Sequence, residues 1–199
     1  MKGWKNLVLI LFIIAILVLA YIFATNPYGK VKKDRQFMGV EDGSILIIEV
    51  GDYLDPMTAA TEVNMERIRS DYSADVKFIY THYDSSELSR TAAMAAECAG
   101  AQKKFELMHK KLFDNYLDIS LDNIYLWAND IGLKDEDFKR CMEDEIFGGI
   151  VDRDFSTSRD FNAKVLPIVF INGERFDGLK HYSVYQEFID SELFVVTTE

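Results

Sequence analysis

The densest set of side chains able to do chemistry lies between Glu49 and Thr58, which includes three carboxylates, Glu49, Asp52 and Asp55, and the aliphatic hydroxyl of Thr58. Acids this close together could hold a hard cation, since calcium and magnesium take oxygen ligands. No histidine or cysteine stands beside them, and such acids are more often solvated or capping groups, so no metal is assigned. Asp55 precedes Pro56 where a helical pattern begins. There its carboxylate would accept from free backbone N–H groups and complement the helix dipole. Thr58 could attack a substrate only with a base to take its proton, and none is adjacent. Glu49 follows an apolar run and should be buried, where an ionised carboxylate is unfavourable. The two cysteines, Cys98 and Cys141, form neither a C-x-x-C pair nor half of a zinc set. Their meaning depends on the compartment, and packed as free thiols they would act as small hydrophobes. His82, His109 and His181 share no ligand spacing and read as surface or strand-end residues.

The elements that must position these groups are legible in the periodicity. "SILIIEV", Ser44 to Val50, is a short β-branched apolar run, the mark of a strand buried on both faces. Thr58 to Asp71 has helical spacing, with Ala59, Val63 and Ile68 inward and Glu62, Glu66, Arg67 and Arg69 outward. "VKFIYTHY", Val76 to Tyr83, is a second strand, and strand, helix, strand makes a βαβ unit with a parallel pair. Glu87 to Tyr116 predicts two helices with a break near Gly100, followed by helices at Leu121–Asp130, at Asp135–Glu145 and around Ile150–Phe161. The β pattern resumes at "VLPIVFI", Val165 to Ile171, where Asn172-Gly173 signals a type I′ hairpin. An amphipathic helix from Tyr182 to Leu193 closes the pattern. Leu166-Pro167 is the candidate cis peptide, since only an X-Pro bond adopts that form readily.

The N-terminus carries a separate signal. Leu7 to Phe23 is a run of 17 residues without a charge, flanked by Lys2, Lys5 and Trp4 before it and Asn26-Pro27 after it. Its length suits a short membrane span and exceeds the usual signal-peptide core. The reading is an uncleaved signal anchor over residues 1–24, with a cleaved signal peptide, cut after Ala20 or Ala24, as the alternative. Lys30, Lys32, Lys33 and Arg35 oppose the N-terminal lysines, so charge leaves orientation open. Residues 25–38 read as a polar tether. The net charge of −11, with no clustered basic stripe in the soluble part, excludes nucleic acid as a partner.

The chain resembles the DsbA-like thiol-disulfide oxidoreductases of the thioredoxin superfamily. Glu49, Asp52, Tyr53 and Pro56 fall in register with that family's E-F-x-D-Y-x-C-P-x-C pattern. "AAECAGAQKKFELMHKKLF", "IGLKDEDFKRCM" and "VLPIVFINGERFDG" are similar to its helical-layer and cis-proline segments. The resemblance implies an α/β thioredoxin-like fold over residues 39–193, with a helical insertion at about 86–162, preceded by one transmembrane helix. It also implies that the family's two active-site cysteines correspond here to Asp55 and Thr58, and Val165-Leu166 stands where Gly-Thr is common. Disulfide exchange needs an attacking thiolate and a resolving one, and neither a carboxylate nor a hydroxyl supplies them. No catalytic residue and no cofactor is assigned.

What the resemblance leaves is a binding surface at Pro56, Met57, Leu166 and Pro167, able to pair with an extended polypeptide. Cys98 and Cys141 match cysteines that family members carry in the helical layer, which implies a structural disulfide between them in an oxidising compartment. The expectation is a single-pass membrane protein whose domain lies outside the cytoplasm, acting as a polypeptide-binding or chaperone-like module. The alternative is an enzyme of the same family with atypical or residual activity, built on Asp55 and Thr58 or on the Cys98–Cys141 pair.

Overall fold

The computed structural model describes residues 11–18, 35–83 and 85–198. Most of the anticipated anchor and tether lies outside these residues. Within the anchor, residues 11–18 are helical and exposed, and among the described residues no helix is long and apolar enough to cross a membrane.

Five strands, β1 (Met38–Gly39), β2 (Ile45–Gly51), β3 (Val76–His82), β4 (Ile168–Ile171) and β5 (Glu174–Asp177), form one sheet in the order β1-β3-β2-β4-β5. β2 and β3 run parallel, joined by α1 (Pro56–Asp71), while β4 is antiparallel to β2 and β5 to β4. The β4–β5 hairpin turns at Asn172 and Gly173, both at positive φ, as a type I′ turn requires.

The near-continuous apolar strands reflect a sheet covered on both sides. Ile45 and Ile47 of β2 pack with Phe78, Tyr80, Val169 and Ile171 into the larger core. Ile48 and Val50 point the other way, onto Ile79, Phe161, Ile168 and Phe170. Between β3 and β4 stand α2 (Glu87–Gly100), α3 (Phe105–Asp114), α4 (Leu121–Asp130), α5 (Asp135–Glu143) and α6 (Gly148–Asp160). α7 (Tyr182–Thr198) follows the hairpin.

Two features depart from the sequence pattern. The inward stripe of α1 is Thr58, Thr61, Glu62, Met65 and Ile68, whereas Val63 is 68% exposed. Glu62 reverses the expected face because Arg69 and His109 meet it in the interior. The charged segment before Met38 is also part of the fold from Arg35 onward. The Arg35 side chain is 3% exposed, clasping Asp154 of α6 through two hydrogen bonds of 2.5 and 2.6 Å and donating to the Tyr80 carbonyl at 3.0 Å.

Candidate functional site

The register Val50↔Ile168 sets the C-terminal end of β2 beside the start of β4. The chain leaves β2 into the turn holding Asp52, Asp55 and Thr58, and it enters β4 through Val165, Leu166 and Pro167. The two predicted segments therefore lie at one end of the sheet, on neighbouring strands. The Leu166-Pro167 peptide is cis.

Asp55 is the N-cap of α1 and Pro56 its first residue, a position where the missing N–H is no loss. The Oδ2 atom of Asp55 accepts from the Thr58 backbone N–H at 2.6 Å and from the Thr58 hydroxyl at 2.8 Å. Thr58 is fully buried, so its hydroxyl does not reach solvent. Gly51 makes this possible, because a Cβ there would stand 2.3 Å from Cγ2 of Thr58 and 2.9 Å from the Tyr80 hydroxyl. Met57, in contrast, is 45% exposed.

On the β4 side, the Pro167 carbonyl accepts from the Gly178 N–H at 2.7 Å. The backbone groups of Val165 and Leu166 have no hydrogen-bond partner among the described residues. Val165 is 53% exposed and Leu166 half-buried. The arrangement is an open stretch of backbone beside apolar side chains, able to receive one edge of an extended chain.

Beneath the turn is a buried polar interior that the sequence only partly disclosed. Asp52 is tied down by the Leu54 N–H at 2.9 Å, by the Ser89 hydroxyl at 2.9 Å and by the Ser85 hydroxyl. The Tyr53 hydroxyl meets Nδ1 of His109 at 2.9 Å. Nε2 of His109 lies 3.3 Å from Glu62, whose other oxygen accepts from Arg69 at 2.5 Å. Burial holds His109 below its usual value, favouring the neutral imidazole that accepts from Tyr53. Burial pushes the Glu62 carboxyl up, but His109 and Arg69 outweigh it and hold it low. His109 is thus a core residue, whereas His82 ends β3 as a strand-end histidine and is buried there, bonding Glu97 at 3.1 Å within the Arg35–Asp154 cluster. Their apolar sequence neighbours, Met108 before one and Tyr83 after the other, were the available signal.

Glu49 lies on β2 between Tyr80 and Val169, fully buried, and neither oxygen has a hydrogen-bond partner among the described residues. Burial raises its carboxyl well above the usual range, the Glu62 charge adds to this, and Arg69 opposes it. Its environment therefore favours the neutral, protonated form over the carboxylate. Among the described residues no group of His, Cys, Asp and Glu is placed to hold a metal ion.

Cys98 of α2 and Cys141 of α5 are joined in a disulfide, Cα to Cα 5.9 Å, at 1% and 5% exposure. It links two helices of the layer and stands apart in sequence from the turn.

The family described as Thioredoxin matches residues 31–191. Among solved structures, the fold is similar to the thiol-disulfide exchange protein alpha-DsbA2 of Wolbachia pipientis at a TM-score of 0.75 and 17% identity, covering 84% of this chain and 94% of that one. It is similar to oxidised BdbD of Bacillus subtilis at 0.68 and 23%, covering 79% and 90%. A Na(+)/H(+) antiporter NhaA 1 of Mycobacterium sp. (strain KMS) is 27% identical over 146 residues, 70% of this chain but 24% of that protein. An NhaA antiporter of Nitrosospira multiformis is 26% identical over 146 residues, 71% and 23%. The chain thus spans about a quarter of the length of the curated relatives it matches. It belongs to the thioredoxin family, with a DsbA-like fold, and its sequence holds no C-x-x-C motif, with Asp-Pro-Met-Thr at the start of α1.

Proposed function

We propose that this chain is a membrane-anchored, extracytoplasmic domain that no longer exchanges disulfides and instead holds extended polypeptide beside Leu166 and Pro167. One observation carries the reading. Asp55 and Thr58 are bonded to each other as a helix cap, while the backbone of Val165 and Leu166, at the same end of the sheet, has no hydrogen-bond partner among the described residues, and Met57 beside the cap is exposed. Chemistry has been replaced by a cap, and the pairing edge is retained. The disulfide of the helical layer supports an oxidising compartment. The charge-free run from Leu7 to Phe23 supports a single N-terminal anchor.

The test places a photo-crosslinking residue at Leu166 in the full chain in membranes, with a reduced, carboxymethylated protein as the unfolded probe. Capture should be strong at position 166 and at background from exposed Lys110 of α3; equal capture at both would refute the reading. An impermeant protease added from outside should remove the domain from intact cells, and complete protection would overturn the proposed topology.

A second reading rests on the curated relatives, in which the matched segment is about a quarter of a protein named as a Na(+)/H(+) antiporter. In that reading the domain serves a transport protein. Co-purification of an antiporter with the anchored chain in mild detergent would favour it.

A further inference from the structure

The helical layer has a groove of its own, outside the turn and the cis-proline segment. α2, α4 and α5 surround a cavity of about 280 Å³ lined by Leu88, Met94, Leu121, Tyr125 and Met142. That volume falls just short of the roughly 300–1,000 Å³ of small-molecule pockets and suits one or two side chains of a polypeptide. Leu121, at its rim, is 49% exposed although apolar. Two flexible methionine thioethers give the walls the adaptability that helix-binding grooves use.

The rim decides the occupant's charge. Glu87, Glu143 and Glu145 line the cavity together with a single cation, Arg90. Arg90 is already committed, to Glu145 at 2.9 Å and to Asp152 just beyond. Lys139 reaches Glu143 only at 3.8 Å, as an exposed pair of little weight. Glu87 has no ion pair among the described residues. The groove is therefore apolar at its floor and acidic at its edge, and the chain as a whole carries −11. Anionic lipid or nucleic acid would be repelled.

We propose that this groove docks a cationic amphipathic helix of a partner protein, with an apolar side chain seated between Met94 and Met142 and lysines or arginines over Glu87 and Glu143. The contact is independent of the Leu166 edge and would let one partner be held while an extended chain occupies the other site.

The test uses the protein labelled with ¹³C at its methionine methyls and, as probe, an amphipathic helix of leucine and lysine, compared with the same helix in leucine and glutamate. The Met94 and Met142 signals should move with the lysine helix and stay still with the glutamate helix. Met57, at the turn, should be silent or move separately. The double change Glu87→Lys, Glu143→Lys should weaken binding about tenfold or more, with the fully buried Met108 signal unchanged as the check on folding. Equal response to both helices, or no response at Met94 and Met142, overturns the proposal. Movement of these signals on dilution without any probe also overturns it, assigning the groove to a second copy of the chain.

Discussion

The carboxylate of Asp55 closes on Thr58 twice, through the backbone N–H at 2.6 Å and the hydroxyl at 2.8 Å. By the resemblance in sequence these positions stand where the oxidoreductases carry their two cysteines, and in the structure they start a helix. Removing the cap with Asp55→Ala should lower stability by about 1 kcal/mol, read as a shift in the urea midpoint without a change in slope. The frame itself is intact, with Gly51 giving the room. Asp55→Cys with Thr58→Cys should therefore form a disulfide and reduce insulin well above the native chain. If the native chain turned over as fast, the cap would not be the end of the chemistry.

The Cys98–Cys141 bond is nearly sealed from solvent, so it should resist mild reductant in the folded state and titrate only on unfolding. By loop-closure entropy, the double change Cys98→Ala, Cys141→Ala should destabilise the domain by about 4 kcal/mol. Reductant during urea unfolding should reproduce that loss in the native chain and leave the double variant unaffected. Rapid alkylation of both thiols in the folded protein under mild reductant would contradict a structural role.

Glu49 gives a pH signature of defined sign. Its native carboxyl titrates well above the unfolded one, so the native state binds the extra proton and stability falls as pH rises above about 4. Replacing it with glutamine, which keeps the shape and removes the ionisation, should raise the melting temperature at neutral to alkaline pH. The gain should vanish below about pH 4, where both states are protonated. A gain that was the same at all pH values would mean that Glu49 acts by packing alone.

Arg35 holds Asp154, the Tyr80 carbonyl and, at 3.4 Å, Glu97. Burial pushes Glu97 up, but the His82 hydrogen bond and the His82 and Arg35 charges hold it low, so its contribution is present above the unfolded carboxyl value and lost as pH falls. Arg35→Ala leaves two carboxylates buried without their cation and should cost about 3–5 kcal/mol. Arg35→Lys should rescue little, because one ammonium cannot replace the paired bonds to Asp154. Thermal melts of the three proteins across acid to neutral pH would measure both effects.

The fold was legible because its signals are local. The apolar strands, the Asn172-Gly173 turn, the break after Gly100 and the cap at Asp55 each announce themselves over a few residues. The turn and the cis-proline segment, once placed on adjoining strands, also met as the pattern implied. What periodicity could not supply was the polar interior. Glu62 reads as a surface residue until Arg69 and His109 are known to meet it, and Arg35 reads as part of a basic tether until Asp154 is seen opposite. Burial of a charge depends on a partner distant in sequence, and no spacing rule encodes that partner. β1 was missed for a related reason: two residues against β3 leave no alternation to detect.

The outer margins of the sheet bear on how such a chain avoids capturing itself. One margin is only two residues long, at Met38 and Gly39, and the other, β5, carries Glu174, Arg175 and Asp177 along an exposed strand. Short and charged borders discourage strand-to-strand polymerisation. Copies of this chain can thus be crowded together without zipping margin to margin into fibres.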